Sequence, residues 1–127
     1  MASVLKELGV THDLLTKDEQ TCLRKHGYVN LGKMLSDDEL LAITERINAL
    51  LVEEGEQQGS ELFDSPYIRH PKEAGADRLA NLVNKGSVFD KFYTDPRLLA
   101  AISLVLGQEI RLSSLNYRAA KPGLGAQ

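Results

Sequence analysis

Residues 109–124 read EIRLSSLNYRAAKPGL, and this stretch decides the fold class. From Glu109 to Ala120 the apolar residues Ile110, Leu112, Leu115 and Tyr117 alternate imperfectly with polar neighbours, the pattern of a strand with one buried face. Successive side chains point to opposite faces, so Tyr117 with Ala119 and Asn116 with Arg118 lie on opposite sides and only one set faces inward; Tyr117 with Ala119 is the favoured set. Lys121-Pro122-Gly123-Leu124 then suits a type II turn, with proline fixing φ at the first central position and glycine supplying positive φ at the second. Such a turn ordinarily returns a strand, yet only Gly125, Ala126 and Gln127 follow. The last strand is therefore expected to lack its returning partner, and the few strands of the chain do not close a sheet. The sequence reads as a partial domain, 1–127, cut from a longer fold; the alternative is that a partner chain supplies the missing strands.

Upstream, the signals are mostly helical. Thr16 followed by Glu19 is a capping-box pattern, which predicts a helix to about His26, with Gly27 in the left-handed position after its last turn. Tyr28 to Leu31 then suits a short strand. Ser36 with Glu39 repeats the capping box, and Leu40, Ile43, Ile47, Leu50 and Leu51 recur at helical spacing up to Gly55. The polar stretch from Gly55 to Asp77 predicts a long surface connection and a candidate lid. Leu79, Leu82 and Val83 suit a strand or a short apolar turn ended by Asn84-Lys85-Gly86, and Phe89, Phe92 and Tyr93 are expected in the core. Thr94-Asp95-Pro96 opens a further helix, whose buried stripe is Leu98, Leu99, Ile102, Val105 and Leu106, stopping at Gly107. The class is α+β.

Composition narrows the partners. The 127 residues carry 15 Lys and Arg against 18 Asp and Glu, a net charge of -3, and the basic residues are scattered, so nucleic acid is disfavoured as a partner. No apolar run approaches the ~20 residues of a membrane span, and Lys6 with Glu7 interrupts the place of a signal peptide. A cytoplasmic location is expected, and the single Cys22 excludes an internal disulfide.

Composition and spacing alone give little chemistry. His12, His26 and His70 have no second ligand at metal spacing, so His26 reads as a helix-end charge and His70 as a loop residue. Cys22 reads as a buried small hydrophobe, not a nucleophile. The acid pairs Asp37-Asp38 and Glu53-Glu54 read as solvated charges at the two ends of one helix. Gly123 and Gly125 do not make a phosphate loop.

Taken in order, His26-Gly27-Tyr28-Val29, Leu35-Ser36-Asp37-Asp38-Glu39-Leu40, Asn84-Lys85-Gly86 and Leu112 to Gln127 resemble the phytanoyl-CoA dioxygenase family over nearly the whole chain from about Leu15. The resemblance implies the N-terminal helical half of a double-stranded β-helix, a jelly-roll barrel that is incomplete here. It implies a complete protein that uses Fe(II) and 2-oxoglutarate to hydroxylate a small organic substrate. Iron in that family is held by a His-x-Asp pair and a distant His, and this sequence contains no His-x-Asp. The expectation is that the chain stops before that motif, holds no metal ligand or catalytic residue, and binds neither cofactor tightly. Two cofactor-binding positions follow from the resemblance: Lys85, reaching a carboxylate of 2-oxoglutarate, and Tyr117, projecting toward cofactor or substrate. Self-association through unpaired strands is expected. The rival reading is a non-catalytic interaction module that adds its free strand to a partner's sheet.

Overall fold

The computed structural model describes residues 2–62 and 75–124. Its elements are α1 (Ala2–Glu7), a 3₁₀ turn at His12–Leu14, α2 (Lys17–His26), α3 (Asp37–Glu54), and 3₁₀ turns at Gly55–Gln57 and Ser60–Leu62. Then come β1 (Ala76–Leu79), 3₁₀ turns at Leu82–Asn84 and Ser87–Phe89, α4 (Lys91–Thr94), α5 (Pro96–Leu106) and β2 (Tyr117–Ala120). The chain forms two units, each built from two separated segments: Met1–Ser36 with Asp90–Leu112, and Asp37–Phe89 with Ser113–Gln127.

The first unit is helical, and its helix ends are set by local hydrogen bonds. The Thr16 amide donates to Glu19 Oε2 at 2.8 Å and the Glu19 amide donates to Thr16 Oγ1 at 3.2 Å, a complete capping box. Gly27 closes α2 at φ 77°, its amide donating to the Leu23 carbonyl at 3.0 Å. Asp95 caps α5 by accepting from the amides of Arg97 at 2.9 Å and Leu98 at 3.0 Å, with Pro96 where a missing amide costs nothing. Packing then joins the segments: Leu15, Ala100 and Ala101 are buried, and Val10, Leu23, Leu31 and Leu104 pack against them. Arg97 ties the same region, its Nη1 donating to the Leu31 carbonyl at 2.6 Å and its Nη2 pairing with Glu19 Oε1. The Thr16 amide, helped by the Arg97 guanidinium against the effect of desolvation, holds the Glu19 carboxyl below its usual range.

Two expectations change here. Tyr28 to Leu31 joins no ladder: the Asn30 side chain accepts from the Gly32 amide at 2.8 Å and Gly32 takes φ 71°, so the chain turns instead of extending. On α5 the buried positions are Leu99, Ala100, Ala101 and Ser103, whereas Val105 and Leu106 at its last turn are 61% and 68% exposed. Small alanines let the Leu15 side chain approach the helix closely, which rotates the buried face away from the larger residues.

In the second unit α3 buries Ile43 and Leu50 and leaves Leu40, Leu41 and Val52 exposed, so its buried stripe is narrower than the apolar spacing predicts. The helix packs against β1 and the Ser87–Phe89 turn. Leu79, Ala80, Leu82 and Phe89 are buried, with Leu79 and Phe89 fully so, each side chain contributing about 1.5–3 kcal/mol relative to exposure. Phe92, in the first unit, is 36% exposed, so only Phe89 of the aromatic cluster is a core ring.

β1 and β2 pair antiparallel, with Ala76 opposite Ala120, Asp77 opposite Ala119, Arg78 opposite Arg118 and Leu79 opposite Tyr117. Tyr117 and Ala119 form the half-buried face of β2 and Arg118 and Ala120 the exposed one, as the alternation predicts. The ladder stops at Leu79 because Asn81 adopts the left-handed conformation (φ 56°, ψ 43°) and its amide turns to Asn116 Oδ1 at 3.0 Å. One further bond, from the Leu82 amide to the Leu115 carbonyl at 2.9 Å, follows that kink. The strand predicted over 109–120 is thus confined to Tyr117–Ala120. Beyond β2 the Leu124 amide donates to the Lys121 carbonyl at 3.2 Å and Gly123 has φ 78°, as a type II turn requires. The architecture is α+β, mostly helical with a two-stranded antiparallel sheet, and the described strands form no closed barrel.

Candidate functional site

Lys85 is placed by three local features of the second unit. The kink at Asn81 ends β1, the Leu82–Asn84 turn follows, and the Lys85 amide closes that turn on the Leu82 carbonyl at 3.0 Å. From α3, Arg46 Nε donates to the Lys85 carbonyl at 2.9 Å, while Arg46 Nη1 pairs with Glu53 Oε1 at 3.0 Å. Backbone and side chain of Lys85 are therefore both held.

The ammonium meets two carboxylates. Lys85 Nζ pairs with Glu54 Oε1, from the last residue of α3, and with Glu61 Oε1 at 2.7 Å, from the Ser60–Leu62 turn. The Lys85 and Glu54 side chains are only 13% and 18% exposed, and Glu61 is 42% exposed. Burial alone pushes the Lys85 ammonium toward neutrality, but the hydrogen bonds and charges of Glu54 and Glu61 outweigh it and raise its pKa. For Glu61 burial acts in the opposite sense to the Lys85 bond, and the outcome is a carboxyl below its usual range.

The turn that delivers Glu61 is itself tightly built. Gln58 Nε2 donates to the Leu51 carbonyl at 3.0 Å, and buried Gly59, at φ 67°, lies where a Cβ would stand 3.3 Å from Arg78 Cβ. Only glycine combines that backbone with that approach. Chemically the site is a lysine with two of its three donor positions already directed at protein carboxylates.

Tyr117 lies across the ladder from fully buried Leu79, and its hydroxyl makes no hydrogen bond among the described residues. His26 lies in the last turn of α2, its ring 6.1 Å from that of Tyr28, and Cys22 Sγ donates to the Tyr28 carbonyl at 3.3 Å. His70 and most of the Gly55 to Asp77 candidate lid lie outside the described residues. The sequence reading missed Glu54 and Glu61: Glu54 was expected to be a solvated helix-end charge, and it is instead mostly buried against Lys85. Only the adjacency of an acid pair to a glycine at a helix end pointed there. Among the described residues no three His, Cys, Asp or Glu side chains converge as a metal site.

Comparison with protein-family models, curated proteins and solved structures finds no match. None of the described helices is long and apolar enough to cross a membrane.

Proposed function

We propose that this chain is the N-terminal part of an Fe(II)- and 2-oxoglutarate-dependent dioxygenase of the phytanoyl-CoA dioxygenase type, acting on a small organic substrate in the cytoplasm. The observation that carries the reading is the succession of elements: a capped helix ended by Gly27, the long α3, the turn into Lys85, the capped α5, and β2 running into a Pro-Gly turn. The donor set of the described residues does not fit an iron ion, and the sequence has no His-x-Asp, so no catalytic step is assigned to this chain. Its part in the complete protein is to supply the helical layer and two positions, Lys85 and Tyr117. For Lys85 to hold a carboxylate of 2-oxoglutarate, that carboxylate takes the third donor position of the ammonium or displaces Glu54 or Glu61 from it, forming a charge-assisted bond in either case.

The test is succinate release from 2-oxoglutarate with Fe(II) and ascorbate, on this chain and on a form extended through the next stretch of its gene. Turnover in the extended form alone, with a His-x-Asp in the extension, is expected. Silence in both forms overturns the reading. A second reading rests on the sheet: β1 and β2 pair only with each other among the described strands, which leaves an outer edge on each for a partner's strand. A saturable strand-forming partner together with silence in the turnover assay favours it.

A further inference from the structure

A cavity of about 430 Å³ lies in the first unit, between the end of α1, the His12–Leu14 turn and α5. Leu5 and Val10 form its apolar wall. Its polar wall consists of Lys6, Thr11, His12, Ser103 and Gln108. No carboxylate lines it.

Ser103 and the His12 turn are held in place before any ligand arrives. Ser103 is 5% exposed, and its Oγ donates to the Ala100 carbonyl at 3.2 Å. Its lone pairs then face His12 Nε2 at 3.4 Å, which fits the imidazole tautomer with its hydrogen on Nε2. The turn carrying His12 is fixed from α2, where Gln20 Nε2 donates to the carbonyls of His12 at 3.0 Å and Leu15 at 3.1 Å. Three acids adjoin lining residues in sequence, Glu7, Asp13 and Glu109, and none of them lines the cavity; the Thr11 hydroxyl and the Asp13 backbone amide hold the Asp13 carboxyl below the usual range. Among the described residues the Lys6 and Gln108 side chains make no hydrogen bond or ion pair.

We propose that this cavity binds a small organic anion, with its oxyanion head on the Lys6 ammonium and the Gln108 amide and its apolar body against Leu5 and Val10. An ammonium and an amide, with no lining carboxylate, complement negative charge. The volume exceeds what a bare ion fills, so the ligand carries carbon as well as charge. The head is a carboxylate or a phosphate monoester, and the experiment separates them.

The test is an amide-resolved NMR titration of the chain with inorganic phosphate, and separately with butyrate, at ionic strength held constant with sodium chloride. Saturable shifts at His12, Ser103 and Gln108 are expected. Phosphate acting alone assigns a phosphoryl head, and butyrate alone or more strongly assigns a carboxylate. Lys6→Gln and Gln108→Ala change exposed side chains, and Lys6→Gln is expected to weaken binding by roughly three- to fivefold. Non-saturating shifts with both probes at tens of millimolar, or saturable shifts that neither substitution weakens, overturn the proposal.

Discussion

Lys85 gathers two ion pairs of the second unit, with Glu54 and Glu61, on one ammonium. Replacing it with Met leaves the mostly buried Glu54 carboxylate without its cation, and a loss of about 1–3 kcal/mol in unfolding free energy is expected from urea denaturation at neutral pH. The pH dependence follows from the two shifts. Lys85 has a raised folded pKa, so its contribution is complete below the ordinary value of 10.5 and is lost as pH rises through the folded value. Glu61 has a lowered one, so its contribution is complete above 4.5 and is lost as pH falls through the folded value. Stability of wild type is therefore expected to plateau between these limits. Lys85→Met should flatten the alkaline limb and Glu61→Gln part of the acid limb, with Glu19 accounting for a further part. In the complete dioxygenase proposed above, Lys85→Ala is expected to weaken 2-oxoglutarate binding, followed by calorimetry, more than iron binding; equal affinities for 2-oxoglutarate would remove Lys85 from that role. None of this cluster was legible in the sequence beyond the lysine itself. Glu54 and Glu61 stand 31 and 24 positions from Lys85, and no local pattern encodes a meeting across such distances.

At the scale of elements the opposite holds, because caps and turns are bonds between residues two to four apart. Thr16 with Glu19, Asp95 with Pro96, and Pro122 with Gly123 each formed where their spacing predicts. Thr16→Ala removes an acceptor from the capping box and is expected to cost about 1 kcal/mol, read as a lower thermal midpoint. Two glycines separate backbone strain from crowding. At Gly27 a Cβ meets nothing within 4 Å, so Gly27→Ala is expected to cost about 1 kcal/mol from its positive φ alone. At Gly59 the same backbone penalty is joined by contact with Arg78 Cβ at 3.3 Å, so Gly59→Ala should be the more damaging of the two in the same assay. Equal midpoints for the two variants would show that the Ser60–Leu62 turn shifts freely. Strand length was not legible, since it depends on Asn81 leaving the ladder and on Asn116 accepting its amide, 35 residues away.

Over the whole molecule, both units are assembled from segments far apart in sequence. Residues 113–127 belong with Asp37–Phe89, so their removal is expected to abolish exchange protection at the Leu82 amide, whose acceptor is the Leu115 carbonyl. Amides of α5 should retain protection, because the residues buried around Leu15, Ala100 and Ala101 are all still present. Loss of protection in both places would mean that the units unfold as one. The pairing of β1 with β2 also has a temporal side. On a ribosome adding about 5–20 residues per second, Leu79 is made roughly two to eight seconds before Tyr117, its partner some forty positions on. During that interval β1 is a nascent strand with no template, and α3, made before it, has ample time to form, since the hydrogen bonds of a helix are local. Closing the ladder therefore waits on the synthesis of Tyr117–Ala120, and until then the pairing edge of β1 stands open to a chaperone or a protease.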